Sequence, residues 1–67
     1  MNYLKEILEE KHITQKELSI RTGIPRTTIN RYYVKKNKRP MSLELAYNIA
    51  LALDIEIDEF IGGILND

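Results

Sequence analysis

The chain has 67 residues, 43% of them apolar, with no cysteine and ten basic residues balanced by ten acids. That length suits one small domain, near the lower size at which a single core is stable. The lack of cysteine excludes a disulfide framework and a thiolate metal site. No apolar run is long enough for a membrane span and no signal-peptide pattern opens the chain, so a cytoplasmic protein is expected. The zero total charge conceals a segregation. Between Lys16 and Arg39 stand eight basic residues and one acid, Glu17, whereas residues 40–67 hold six acids and no Lys or Arg. Basic charge gathered on one part of a fold is the footprint of a phosphate-binding surface.

Five short helices are expected, and nothing sustains a strand period. Asn2 caps the first, in which Leu4, Ile7, Leu8 and the stem of Lys11 recur at helical spacing. Thr14 and Glu17 form a capping box at the start of the second: the Thr14 oxygen accepts from the Glu17 N–H, and the carboxylate returns to the Thr14 N–H. Ile13 and Leu18 supply the matching hydrophobic staple. Gly23 closes that helix in the left-handed conformation. Pro25, with φ preset and no N–H to leave unpaired, opens the third.

Ile29 and Tyr32 face inward from the third helix, and Arg26, Thr27, Asn30 and Arg31 share its opposite face. Val34 to Met41 reads as a basic loop. Ser42 caps a fourth helix with a broad stripe of Leu45, Ala46, Ile49, Ala50 and Leu53. A short fifth helix, from about Ile57 to Ile61, is expected to stop at Gly62 and Gly63 and leave a tail over residues 62–67.

A capped helix, a tight glycine turn and a second helix with a polar outer face describe a helix-turn-helix. Gln15, Leu18, Ser19, Gly23, Ile29 and Tyr32, at their spacings, resemble the phage-repressor type of this motif, the lambda-repressor-like or Cro/XRE family. Leu45-Ala46 through Leu53 is similar to the family's fourth helix. The resemblance runs from about Tyr3 to Gly62, with the motif itself at about residues 14–33. It implies an all-α, five-helix DNA-binding fold forming one domain over residues 1–67.

Three positions depart from the family pattern. Ser19 stands for the commoner Ala, with a hydroxyl able to bond back along its helix. Pro25 replaces a frequent capping Ser. Asp54 replaces a Gly at a position that calls for positive φ.

By position, the resemblance implies that Arg26, Thr27, Asn30 and Arg31 read base edges in the major groove. Gln15, Lys16, Thr28, Tyr33, Lys35, Lys36, Lys38 and Arg39 would contact phosphates. The partner is then double-stranded DNA carrying a pseudo-palindromic operator, bound by a homodimer. Ile57, Phe60, Ile61, Ile64 and Leu65 exceed the apolar content a short terminal helix needs and are the candidate dimer contact, with the sealing role of Phe60 and Ile61 as the alternative.

No cofactor, metal ligand set, small-molecule ligand or catalytic group is expected. His12 reads as a solvated turn residue, with no second His or Cys nearby, and Tyr47 as partly buried packing. Because 67 residues leave little room for an effector domain, the expected action is a transcriptional regulator that represses by occluding a promoter. The alternative is a protein-interaction module of the same fold, such as the antitoxin of a toxin–antitoxin pair, favoured by the Ile64–Leu65 tail. A non-specific nucleic-acid binder is a further reading.

Overall fold

The computed structural model describes residues 2–34 and 41–66. The chain forms α1 (Tyr3–Glu10), α2 (Gln15–Thr22), α3 (Arg26–Tyr33), α4 (Leu43–Ala52) and α5 (Ile57–Leu65), with no strand among the described residues. This is the all-α, five-helix architecture expected from the sequence.

Helices of eight to ten residues are too short to persist alone in water, so caps and core packing decide their ends. Three side-chain caps are in place among the described residues. Asn2 Oδ1 accepts from the Lys5 N–H at 3.2 Å, Thr14 Oγ1 from the Glu17 N–H at 3.0 Å, and Ser42 Oγ from the Leu45 N–H at 3.1 Å. Each contributes about 1 kcal/mol.

The second half of the capping box does not form. The Glu17 carboxylate instead accepts from Arg21 at 2.6 Å, one helical turn on. A guanidinium is a stronger partner for a carboxylate than a neutral amide N–H. Arg21 also donates to the Ala52 carbonyl at 3.4 Å, which ties α2 to the end of α4.

The core draws on every helix. Leu4, Leu8, Leu18, Ile24, Ile29, Ala46, Ile49, Ala50, Leu53 and Phe60 are buried, and no polar side chain among the described residues is. Lys11, expected to lay its stem on the core, is exposed at the end of α1, because the helix stops at Glu10. Tyr47, expected to be partly buried, is 52% exposed.

Among the described residues, two besides glycine take left-handed backbone, His12 at φ 56° and Asp54 at φ 57°. His12 turns the chain between α1 and α2 and is exposed. Asp54 has the positive φ expected at its position.

At the C-terminus the structure departs from the sequence reading. The last helix runs through Gly62 and Gly63 to Leu65 rather than ending at Ile61. Gly63 lies against the ring of Tyr3, where a Cβ would overlap the ring atoms. Tyr3 itself packs on Phe60 with ring centroids 5.5 Å apart. The glycine is therefore a point of close approach inside a helix, and the contact outweighs its local tendency to break one.

Candidate nucleic-acid interface

The turn between α2 and α3 is fixed by backbone and hydroxyl groups together. Gly23, at φ 77°, donates its N–H to the Ser19 carbonyl at 2.8 Å. Ser19 was expected to bond back along α2. Its hydroxyl instead donates forward to the Ile24 carbonyl at 2.6 Å, because that carbonyl faces it across the turn. Thr22 completes the brace, donating to the Leu18 carbonyl at 2.8 Å and accepting from the Ile24 N–H at 3.1 Å. Ile24 and Ile29 are buried beneath. The relation of α2 to α3 is thus held by hydrogen bonds on one side and apolar packing on the other.

Pro25 occupies the cap position of α3, one residue earlier than the first helical position, and offers no side-chain cap. Its carbonyl accepts from the N–H groups of Thr28 and Ile29 at 3.0 and 3.1 Å. An uncapped helix start leaves its first amides and the positive end of the peptide dipole facing outward.

In front of this helix start, Gln15, Arg26, Thr27 and Asn30 line one open depression of about 500 Å³. Four residues assigned to two separate roles from sequence therefore meet on one surface, with Gln15 contributed by the first turn of α2. Arg26, Thr27 and Asn30 are exposed, as are Lys16 and Arg31 outside the depression. Among the described residues neither Arg26 nor Arg31 forms an ion pair, so neither is engaged by Glu44, Asp54, Glu56, Asp58 or Glu59. Eight residues of α helix span about 12 Å, comparable to the width of the major groove.

The other expected phosphate contacts are distributed differently. Thr28 is half-buried and faces a second depression, between the turn and the start of α4, which it shares with Ser42, Glu44 and Asn48. Glu44 is thus one acid of the C-terminal third that does not lie remote from the helix-turn-helix. Asn48, unmarked in the sequence, donates to the Thr22 carbonyl at 3.2 Å and joins α4 to the end of α2. Tyr33 is half-buried at the end of α3, with the Lys5 ammonium 5.9 Å from its ring centre. Lys35, Lys36, Lys38 and Arg39 lie outside the described residues.

The candidate dimer residues separate as well. Phe60 is fully buried and belongs to the core, so it is withdrawn from that surface; its ring packs on Tyr3 of α1. Ile57, Ile61 and Ile64 are partly buried and Leu65 is 75% exposed. The sequence reading missed an apolar ridge on α4, where Leu43, Tyr47 and Leu51 recur every fourth residue and are all exposed. Leu43 and Tyr47 border a groove with Ile57 and Ile61 of α5. The signal was present as the i, i+4, i+8 spacing along one flank of the core stripe. No helix among the described residues is long and apolar enough to cross a membrane.

A braced helix pair with an exposed polar face on its second member defines a helix-turn-helix DNA-binding protein. The sequence model of the Cro/C1-type HTH DNA-binding domain matches residues 3–64, and the chain belongs to that family. It is 38% identical over 56 residues to a protein of Archaeoglobus fulgidus described as an uncharacterized HTH-type transcriptional regulator; the match covers 84% of this chain and 76% of that protein. No solved structure matches the chain.

Proposed function

We propose that the protein is a sequence-specific regulator of transcription that binds double-stranded DNA as a dimer on a pseudo-palindromic operator and represses by covering a promoter. The observation that carries this reading is the convergence of Gln15, Arg26, Thr27 and Asn30 on one exposed surface at the start of α3. Arg26 has donors for guanine O6 and N7, Asn30 can pair bidentately with adenine, and the Thr27 methyl suits thymine. Arg31 reads from the next turn.

Gln15 holds a phosphate at the N-terminus of α2, where the helix dipole favours an anion. Lys16, Thr28, Tyr33, Lys35, Lys36, Lys38 and Arg39 supply further backbone contacts. The protein works in the cytoplasm, without a catalytic step, cofactor or metal.

The dimer contact is assigned to Ile57, Ile61, Ile64 and Leu65 of α5, extended by Leu43, Tyr47 and Leu51 of α4. Leu43, Tyr47, Leu51 and Leu65 are exposed and Ile57, Ile61 and Ile64 partly buried, and apolar side chains left open in this way mark an association surface. Dimerisation doubles the number of base pairs read, which a single eight-residue recognition helix needs for useful selectivity. The same apolar ridge favours a second reading, in which the surface covers a different protein, as an antitoxin covers its toxin.

Gel-shift competition between random DNA and the promoter of the protein's own gene tests the proposal. Preference for the promoter supports it. Absence of any DNA complex at low salt overturns it and leaves the interaction module as the better account.

A further inference from the structure

The side chain of Asn2 is used at all of its polar positions, and two of them act on the recognition helix. Its Oδ1 accepts from the Lys5 N–H at 3.2 Å and caps α1. Its Nδ2 donates to the Tyr32 carbonyl at 3.1 Å and to the Tyr33 carbonyl as well. Tyr32 and Tyr33 are the last two residues of α3; their carbonyls lack the N–H four residues on that a helix interior supplies, and along the helix the Tyr32 carbonyl meets only the N–H of the cap residue Val34. A primary amide has one acceptor oxygen and two N–H donors. One asparagine thus fixes the first turn of α1 and the last turn of α3 at once, across 30 residues of sequence.

No other short side chain does this. Aspartate keeps the cap and loses both donors, setting a negative charge against two carbonyls. Serine keeps the cap and has a single, shorter-reaching hydroxyl. Lys5 reinforces the joint, since its ammonium lies 5.9 Å from the centre of the Tyr33 ring.

We infer that Asn2 is a positioning residue for sequence reading, acting through the C-terminal end of α3; this rests on the DNA-binding reading above. The N-terminal end of α3 is set by the braced turn, and Asn2 sets the other end, one residue beyond Arg31. Tyr32 and Tyr33 also pack on the core; without the bridge that packing alone holds the last turn, which is then freer to shift or fray. Base-edge hydrogen bonds weaken steeply over a few tenths of an ångström, whereas long Lys and Arg side chains follow a displaced phosphate. Loss of the bridge therefore costs discrimination more than bulk affinity.

The test compares the wild-type chain with Asn2→Ser, which retains a cap for α1, and Asn2→Ala, which does not. Each is measured on the duplex that the wild type selects from a random pool and on a random duplex of equal length. Asn2→Ser should lower the selected-to-random affinity ratio by about tenfold, the equivalent of one to two lost hydrogen bonds. In the DNA-free protein it should speed hydrogen exchange of the Tyr33 and Val34 amides by a similar factor and leave the amides of α2 unchanged. Asn2→Ala should match it in the ratio and melt at a lower temperature. An Asn2→Ser ratio equal to wild type, or equal losses on both duplexes, overturns the role assigned to Asn2. Failure of the wild type to bind either duplex overturns the DNA-binding reading instead, and the exchange rates still judge the bridge itself.

Discussion

The ring of Tyr3 fills the space that a side chain on Gly63 would take, so the first and last helices meet at a glycine. The contact joins the two ends of the described chain and seals Phe60. Adjacent Gly62 has nothing within 4 Å of where its Cβ would stand. The pair makes a controlled comparison. Gly62→Ala removes only the entropic cost of a glycine within a helix and should stabilise the protein by about 0.5–1 kcal/mol. Gly63→Ala gains the same and must displace the Tyr3 ring, for a net loss of about 1–2 kcal/mol. Thermal unfolding of both variants checks the opposite signs.

That contact also marks where the sequence stopped being informative. Two consecutive glycines followed by a few residues look like a helix end, because the local cost of glycine is visible in sequence and a partner about sixty residues away is not. The starts of α1, α2 and α4 were legible for the converse reason: a cap acts over three residues. So were Gly23 and the positive φ at Asp54, which the motif spacing places.

What local spacing could not show was competition. Thr14 and Glu17 satisfy the capping-box pattern, yet Arg21 takes the Glu17 carboxylate. Ser19 reads as bonding back along its own helix, whereas its hydroxyl bonds the Ile24 carbonyl that the turn brings round to it. Arg26, Thr27, Asn30 and Arg31 were legible as one helical face. That Gln15 joins the first three of these depended on the angle of the turn.

Left-handed positions give a second prediction. Asp54→Gly and His12→Gly each relieve a side chain held at positive φ and should stabilise by up to about 1 kcal/mol, after the added freedom of glycine in the unfolded chain is subtracted. Gly23→Ala should lose about 1 kcal/mol, since φ 77° is unfavourable for alanine even with open space around it. Urea denaturation with unchanged slopes checks all three.

The hydroxyl of Tyr3 is held above its ordinary pKa of 10.0, first by burial and then by the carboxylates of Glu59 and Glu10. Both causes disfavour the phenolate in the folded state. Because the folded value exceeds the unfolded one, this stabilising contribution is complete below pH 10.0 and is lost as the pH rises through the folded value. Tyr3→Phe should therefore flatten the alkaline fall in stability above about pH 10. Unfolding free energies measured across that range in both proteins provide the comparison.

Glu44 stands beside Thr28 in the depression between the turn and α4. A carboxylate near an approaching phosphate opposes binding whatever the base sequence. Glu44→Gln should tighten binding to specific and random DNA alike, by about two- to tenfold at low salt, with the gain shrinking as salt screens the charge. Titration at two ionic strengths reads this directly, and no change at either would place the depression away from the DNA.

Within the reading surface, Arg26 and Arg31 are separable from the basic residues that follow α3. Replacing either with Ala should cost about 1–3 kcal/mol on the preferred site and relax choice at one or two base pairs. Lys38→Ala should weaken all sequences equally and reduce the slope of affinity against salt by about one. Binding isotherms on the preferred and random duplexes distinguish the two patterns, and equal losses for all three variants would contradict the division of roles.

Selection of bound duplexes from a random pool by the wild-type chain bears most directly on the central claim that α3 reads base sequence from the surface shared by Gln15, Arg26, Thr27 and Asn30. The expected product is a short motif repeated with two-fold symmetry, its half-sites about one helical turn, or 34–36 Å, apart. A pool that stays random after repeated rounds, from a protein that still binds DNA, would contradict it.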